Sequence, residues 1–227
     1  MKISDLKKVV PILKAEFESR RAPIMDLVAA QTEDPFAILV GTILSARTKD
    51  ACTAGAVRRL LAVAPDPASL SRLTVEEIEK LIFPVGFFHV KAQHLKALPA
   101  AIDEKFGGVL PDTVEALCEL PGVGRKTANL VVAIGFKKPA ICVDVHVHRI
   151  SNRFGLVHTK TPLETEMRLR EILPRPYWMA WNSHLVAFGQ NRCQPRNPKC
   201  GGCPVAKWCD SAPAKTPSHQ KPNNTKA

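Results

Sequence analysis

Long apolar runs are missing from this sequence. The longest, "FAILVGTIL" and "ANLVVAIGF", are too short for a membrane-spanning helix, which needs roughly 18 apolar residues. The N-terminal stretch "MKISDLKKVVPILKAEFESR" contains acidic residues and has no small-residue cleavage site after an apolar core. It therefore indicates an amphipathic helix and not a signal or transit peptide. We expect no membrane partner, and residence in a bacterial-type cytoplasm near the nucleoid.

Acidic residues are in the minority. The chain has 227 residues, with 32 Lys and Arg against 21 Asp and Glu, which gives a formal net charge of +11 and a pI near 9.5. An excess of positive charge this large indicates a polyanionic partner, nucleic acid above all. The alternative is a basic surface that serves only solubility.

Strand patterns are scarce and no repeat of fixed period is present. "PAICV" (residues 139–143) is the best strand candidate, but it is short and isolated. Most other segments have helical spacing, and Asp34 before Pro35 and the pair Thr74–Glu77 are helix-start signals. The fold class is therefore predicted to be all-α. Residues 211–227 are rich in Pro, Lys and Asn and are predicted to form a disordered basic tail.

The seven cysteines are not spread like a disulfide framework. Cys52, Cys118 and Cys142 stand singly in apolar surroundings, which is typical of small core residues. The other four follow the spacing C-x6-C-x2-C-x5-C: Cys193, Cys200, Cys203 and Cys209. Four thiolates in so short a loop suit a [4Fe–4S] cluster or a structural zinc ion, although zinc sites more often use two C-x2–4-C pairs.

The stretch "LPGVGRKTAN" (residues 120–129) predicts a tight turn between two helices. Gly122 and Gly124 permit positive φ and a close approach to another surface, and the turn amides, including that of Val123, could hold a phosphate oxygen. A plain helix–helix connector would also use Gly and Pro. The cationic flank, which includes Arg125, and the basic chain favour phosphate binding.

Lys126 lies where the second hairpin helix begins. The positive end of the helix and partial burial would both lower the pKa of the lysine and supply a neutral amine, which is a nucleophile for Schiff-base formation. A lysine that simply contacts phosphate is the alternative. Asp144, in "CVDVHVHRISNR", could cap the following helix or act as a base or as a stabiliser of an oxocarbenium ion. His146 and Arg149 add basic or switchable groups to that helix.

Between residues 34 and 209 the chain resembles the endonuclease III family of DNA glycosylases, because three motifs occur in the right order. They are "LPGVGRKTAN", "VDVHVHRISNR" and the terminal cysteine cluster. The resemblance implies two helical lobes with a helix-hairpin-helix motif, an iron–sulfur loop and an active site in the cleft between the lobes. It places a six-helix lobe at residues 28–138 and a cluster lobe at residues 1–27 and 139–210. It also favours [4Fe–4S] over zinc as the cofactor held by the four clustered cysteines.

The resemblance further implies the chemistry. The lysine at the position of Lys126 attacks C1′ of a flipped, damaged nucleotide and the aspartate at Asp144 assists. The Schiff base then undergoes β-elimination, which cuts the strand 3′ to the lesion. Flipping is needed because the target atom is unreachable inside a stacked duplex.

"ILSARTKD" and "LIFPVGFFHVKA" are similar to the two DNA-probing loops of the family. In the first loop, Arg47 replaces the Gln that in the family usually fills the gap left by the flipped base. In the second loop, Phe87 stands at the position of the family's wedge residue, which is often Leu. Ser45 and Asp50 match pocket positions, although Asp50 could also cap a helix. Val145 replaces the usual Thr after the aspartate.

The sequence thus predicts a monomeric base-excision repair enzyme. It would be a bifunctional DNA glycosylase and AP lyase that removes oxidised pyrimidines from double-stranded DNA. Alternatives are an enzyme that is mainly an abasic-site lyase, a monofunctional mismatch or adenine glycosylase relative, and a non-catalytic DNA-binding module.

Overall fold

The structure is a computed structural model that describes residues 1–19 and 34–213. The predicted lobe boundary at residues 27/28 and residues 214–227 of the predicted tail lie outside these ranges. No strand occurs in the part of the chain that is described, so the all-α prediction is confirmed. The helices in these ranges are α1 Leu6–Glu18, α2 Pro35–Ser45, α3 Asp50–Val63, α4 Pro67–Arg72, α5 Val75–Ile82, α6 Phe88–Phe106, α7 Val114–Leu117, α8 Arg125–Leu130, α9 Val145–Arg153, α10 Pro162–Ile172 and α11 Trp178–Asn191. A π-helical turn, Val131–Gly135, continues α8.

Several helices begin where local sequence signals place them. The Asp34 side chain accepts a hydrogen bond from the Phe36 amide at 3.0 Å, with Pro35 in the first turn of α2. Thr74 and Glu77 form the reciprocal capping box of α5. These contacts satisfy amides that a helix N-terminus otherwise leaves without partners.

The buried apolar side chains form two clusters. One runs from Phe36 to Cys142 and contains α2 to α8. The other combines Leu6, Val9 and Leu13 of α1 with side chains of α9 to α11 and Val205. The described chain therefore buries two separate apolar cores.

An extended segment connects the two clusters. Residues 139–143, the strand candidate, pair with no other strand among the described residues. Ala140 and Cys142 pack into the first cluster, whereas Ile141 and Val143 pack into the second. This alternation is the two-residue period of extended backbone, and here its two faces contact two cores.

Polar contacts also join the clusters. Glu166 of α10 is 3% exposed and accepts two hydrogen bonds from Arg125 of α8, at 3.0 and 2.9 Å. Arg170 donates to the same carboxylate at 3.0 Å and to the Asn129 Oδ1 of α8 at 3.0 Å. Asn182 of α11 donates to the Cys142 carbonyl at 3.2 Å.

The Glu166→Ala substitution is expected to destabilise the protein because it leaves two guanidinium groups at this junction without their carboxylate. Breaking such a pair costs about 3 kcal/mol, and for a chain of this size that corresponds to a fall in Tm of roughly 6–12 °C. The matched control is Glu171→Ala, which removes an exposed ion pair with Arg168 on the same helix. Thermal denaturation of both variants tests the expectation, and equal Tm values would contradict it.

Candidate active site and iron–sulfur loop

The hairpin between α7 and α8 brings free amides to the surface. Gly122 has φ +72°, and a Cβ there would lie 2.7 Å from the His94 Nδ1, so both backbone freedom and space require glycine. Gly124 is the N-cap of α8 and offers no side-chain oxygen. The first amides of α8, which begins at Arg125, therefore have neither an intrahelical nor a capping acceptor.

One detail of the predicted phosphate site is wrong. The Val123 amide donates to the Leu120 carbonyl at 3.2 Å and its side chain is 6% exposed, so this amide does not point outward. The turn uses that donor to close itself. The donors without partners lie further along, at the start of α8.

Lys126 is exposed in the second position of α8. The partial burial expected for this lysine is therefore wrong for the protein without DNA. Its carbonyl accepts a hydrogen bond from the Cys142 thiol at 3.5 Å. The lysine backbone is thus attached to the extended segment that leads to Asp144.

Asp144 is the N-cap of α9. Its Oδ1 accepts from the amides of His146 at 2.8 Å and Val147 at 2.9 Å. The second carboxylate oxygen makes no hydrogen bond within the described ranges and remains available. Val145 beside it is 67% exposed.

The charges of the two predicted catalytic residues act on the same neighbouring side chains. The charges of Lys126 and Asp144 both act on the buried Cys142 thiol and on the imidazole of His146. Burial raises the pKa of the Cys142 thiol to about 12, so this thiol stays protonated at neutral pH and is a poor nucleophile. Burial also lowers the pKa of His146 below its usual 6.5, against the opposing effect of Asp144. His146 is therefore uncharged at neutral pH.

Two arginines predicted to contact DNA have protein partners. Arg125 forms the bidentate pair with Glu166 described above. The Nη2 of Arg149 donates to the Cys193 carbonyl at 2.9 Å and lies 3.1 Å from the Nδ1 of His146. Gly189 of α11 gives these side chains room, since a Cβ there would lie 2.4 Å from the Nδ1 of His146. Arg125 and Arg149 thus hold elements together.

The two predicted probing loops lie side by side. Arg47 is exposed and Phe87 is 61% exposed, and the guanidinium carbon lies 5.5 Å from the centre of the phenyl ring. Both residues have left-handed backbones, with φ of 54° and 59°. Ser45, a predicted pocket residue, donates to the Thr42 carbonyl at 2.9 Å. The side chain of Asp50 lies outside the described part of the structure.

The four clustered cysteines line one pocket after α11: Cys193, Cys200, Cys203 and Cys209. Arg153 contributes to its wall, and its Nη1 lies 3.4 Å from the Cys193 Sγ. The same guanidinium donates to the carbonyls of Gln194 at 2.7 Å and Pro195 at 2.9 Å. Among the described side chains, no three potential ligands meet as closely as a single metal ion needs. The residues fit an iron–sulfur cluster, because four thiols face one space and an arginine donor reaches one sulfur.

Comparison with known proteins decides the family. Residues 40–175 match the HhH-GPD superfamily base excision DNA repair proteins, and residues 193–209 match the iron-sulfur binding domain of endonuclease III. Endonuclease III of Thermotoga maritima is 45% identical over 177 residues, which are 78% of this chain and 83% of that protein. The chain belongs to the endonuclease III family. It is a DNA glycosylase and AP lyase with an iron–sulfur cluster.

Two further relatives agree with this endonuclease III assignment. Endonuclease III homolog 2, chloroplastic, of Arabidopsis thaliana is 37% identical over 93% of this chain, which spans 59% of that longer protein. A solved structure of a trapped endonuclease III–DNA covalent intermediate, an estranged-adenine complex, superposes with a TM-score of 0.79. It is 30% identical and covers 93% of this chain and 97% of its own.

Some residues that shape this endonuclease III site were not found from the sequence. Glu166 has partners 41 residues away in the sequence, and nothing in its local pattern distinguishes it from surface residues. The same holds for Lys91 of α6, whose ammonium donates to the Leu44 carbonyl 47 residues away. Arg153 could have been found, because it lies four residues after Arg149 and therefore on the same face of α9.

No helix in the described ranges is long and apolar enough to cross a membrane.

Arg153→Met is expected to weaken retention of the cluster in this endonuclease III family member. The substitution keeps an unbranched side chain but removes the donors to Cys193 and to the loop carbonyls. Loss of comparable outer partners reduces metal affinity about 10–100-fold. Iron and sulfide per protein, measured during chelator challenge, report the effect, with the exposed Arg168→Met as control. Equal retention in both variants would contradict it.

Proposed function

We propose that Lys126 is the nucleophile and Asp144 the assisting carboxylate of this glycosylase and AP lyase, and that the substrates are oxidised pyrimidines in duplex DNA. The observation that carries the proposal is the placement of these two groups. Lys126 and Asp144 lie at the starts of two helices that the Cys142 segment joins, and their charges act on the same two side chains.

The Lys126 amine attacks C1′ of the flipped nucleotide and displaces the damaged base. The amine must lose a proton in this step, and the carboxylate of Asp144 can accept it or stabilise positive charge that develops on the sugar. The amide bonds to Oδ1 hold the carboxylate in place, so Oδ2 is the oxygen that faces the reaction. The nitrogen lone pair then opens the sugar ring: the C1′=N bond of the Schiff base forms as the C1′–O4′ bond breaks, and O4′ takes up a proton. The Schiff base next loses a proton at C2′, and β-elimination breaks the C3′–O bond, so that the 3′ phosphate leaves. The related endonuclease III structure is that of a trapped covalent intermediate with DNA.

The DNA backbone is held, in this proposal, by the hairpin at Gly122–Gly124 and the free amides at the start of α8. Helix N-termini favour phosphate, which also accounts for the absence of an acidic cap. His146 reaches DNA as a neutral donor. Arg125 and Arg149 act mainly through Glu166 and Cys193, not through phosphate.

Arg47 and Phe87 enter the base stack, where Phe87 acts as an apolar wedge and Arg47 faces the orphaned base. Ser45 and Asp50 lie at the lesion pocket.

The lobe boundaries are proposed to be residues 28–138 and residues 1–27 with 139–210, with DNA across the cleft. The two buried clusters support this division. We further propose that the protein acts as a monomer near the nucleoid. Its net charge of +11 favours association with DNA there.

Lys126→Ala is expected to abolish the adduct that borohydride traps on a duplex carrying thymine glycol, because no Schiff base can form. The rate of strand cleavage should fall by more than about 10³-fold.

Asp144→Asn retains a good cap and should therefore fold, with a rate reduced by about 10²-fold.

The alternatives give different results in the same assay. Base release by both wild type and Lys126→Ala without an adduct would identify a monofunctional glycosylase. Reaction only with abasic DNA would identify mainly a lyase, and binding without reaction a DNA-binding module.

Arg47 is expected to favour guanine opposite the lesion, because its guanidinium can donate two hydrogen bonds to O6 and N7 of that base. Single-turnover rates on duplexes with G or A opposite thymine glycol measure the preference. Arg47→Gln is the matched variant, in which the G/A ratio should move towards one. Equal rates with G and A in wild type would contradict the assignment.

A further inference from the structure

Lys91 of α6 is a buried lysine that the reaction does not use. It is 6% exposed, and its ammonium donates to the carbonyls of Leu44 at 2.8 Å and Ala46 at 2.6 Å and to the Thr48 Oγ1 at 3.1 Å. All three acceptors belong to the end of α2 and the loop that follows it. A cation is favourable there, because the last carbonyls of a helix lack partners and carry partial negative charge.

The same contacts join the loop of Arg47 to the loop of Phe87. The Gly86 amide donates to the Thr48 Oγ1 at 3.2 Å, so one hydroxyl binds both loop 83–87 and Lys91. A Cβ on Gly86 would lie 2.6 Å from the Arg47 carbonyl, so the two backbones touch. The Arg47–Phe87 contact completes the junction at the surface.

The arrangement has an energetic cost that core packing does not explain. Burial lowers the pKa of Lys91 from 10.5 to about 8, because desolvation opposes the charged form although three oxygens accept from the ammonium. Arg47 and Phe87 also occupy left-handed backbone conformations, which non-glycine residues adopt only where surrounding contacts hold them. An apolar side chain would fill the space of Lys91 but would bind none of the three acceptors.

We propose that Lys91 is a positioning residue that fixes the Arg47 loop against the Phe87 loop before DNA binds, so that both side chains reach the base stack as one preassembled unit. The inference rests on the proposed contact of these two side chains with DNA. Lys91 itself touches neither substrate nor reacting atoms.

The test uses a duplex with a tetrahydrofuran abasic analogue opposite 2-aminopurine. This analogue has no hydroxyl at C1′ and forms no Schiff base, so the fluorescence change at saturating protein reports only disturbance of the orphaned base. Single-turnover cleavage of a natural abasic duplex is measured in parallel. For Lys91→Met we expect loss of most of the fluorescence change and a rate about 10–100-fold lower, because small misplacements of positioning groups have effects of this size.

Lys96→Met is the matched control. Lys96 lies five residues further along α6, and its ammonium donates to the carbonyls of Ser71 at 2.9 Å and Leu73 at 2.7 Å, at the end of α4. The chemistry of the two lysines is the same, but Lys96 contacts neither probing loop. We expect its variant to keep the wild-type fluorescence change and rate.

Thr48→Val provides a second variant that keeps the Lys91 ammonium and its contacts with the Leu44 and Ala46 carbonyls. It removes the shared hydroxyl at nearly constant volume and should cause a smaller loss of both signals. In an Arg47→Ala background, Lys91→Met should add little further loss, because Lys91 acts through that loop.

The inference is overturned if Lys91→Met and Thr48→Val match Lys96→Met in both signals. If Arg47→Ala and Phe87→Ala still lower the signals in that case, only the positioning role fails. If Arg47→Ala and Phe87→Ala change neither signal, the proposed DNA contact fails, and the positioning role fails with it.

Discussion

The arrangement of the site depends on one constraint, the extended segment at residues 140–143. Ile141 and Val143 are buried in one core and Ala140 and Cys142 in the other, so the segment can neither slide nor rotate without exposing apolar surface. Asp144 follows immediately and starts α9. The Cys142 thiol and carbonyl contact α8 and α11 respectively. The position of the carboxylate relative to Lys126 is therefore set by hydrophobic packing on both sides.

Arginine side chains also hold the elements of the site together. For this reason only part of the positive charge of the chain is available to bind DNA. Arg125 and Arg170 converge on the buried Glu166, and Arg149 and Arg153 extend from α9 to the cysteine loop. A guanidinium suits this task because its five donors form a rigid fork that can bind several acceptors at once. Asp144 thus caps the N-terminus of α9, and arginines further along the same helix support the iron–sulfur loop. The loop and the carboxylate are therefore connected through the same helix.

Features of the structure that a few neighbouring residues determine could be predicted from the sequence alone. The caps at Asp34 and Asp144 and the capping box at Thr74 depend on contacts two or three residues apart, and the spacing of the four cysteines is itself local. The hairpin could be predicted because glycine meets a backbone requirement of the turn. Val123 shows the limit, since the direction of one amide depends on how the turn closes.

Contacts between distant residues could not be predicted. Arg125 and Glu166 are 41 residues apart, and Lys91 and Leu44 are 47 apart. Residues of these types are normally exposed, and only the folded arrangement shows that they are buried and paired. The charge pattern therefore led to a DNA-binding role for Arg125 and Arg149, whereas the structure gives both guanidiniums protein partners.

The most direct measurement is a crystal structure of the complex trapped by borohydride on duplex DNA. We expect a covalent bond from the Lys126 Nζ to C1′ of the extruded sugar. We also expect that the Asp144 Oδ1 still accepts from the amides of α9, with Oδ2 within about 2.6–3.2 Å of the sugar or of the new amine, or connected to it through one water. A bond to any other amine, or an Asp144 carboxylate turned away from the sugar, would contradict the proposed roles of these two residues.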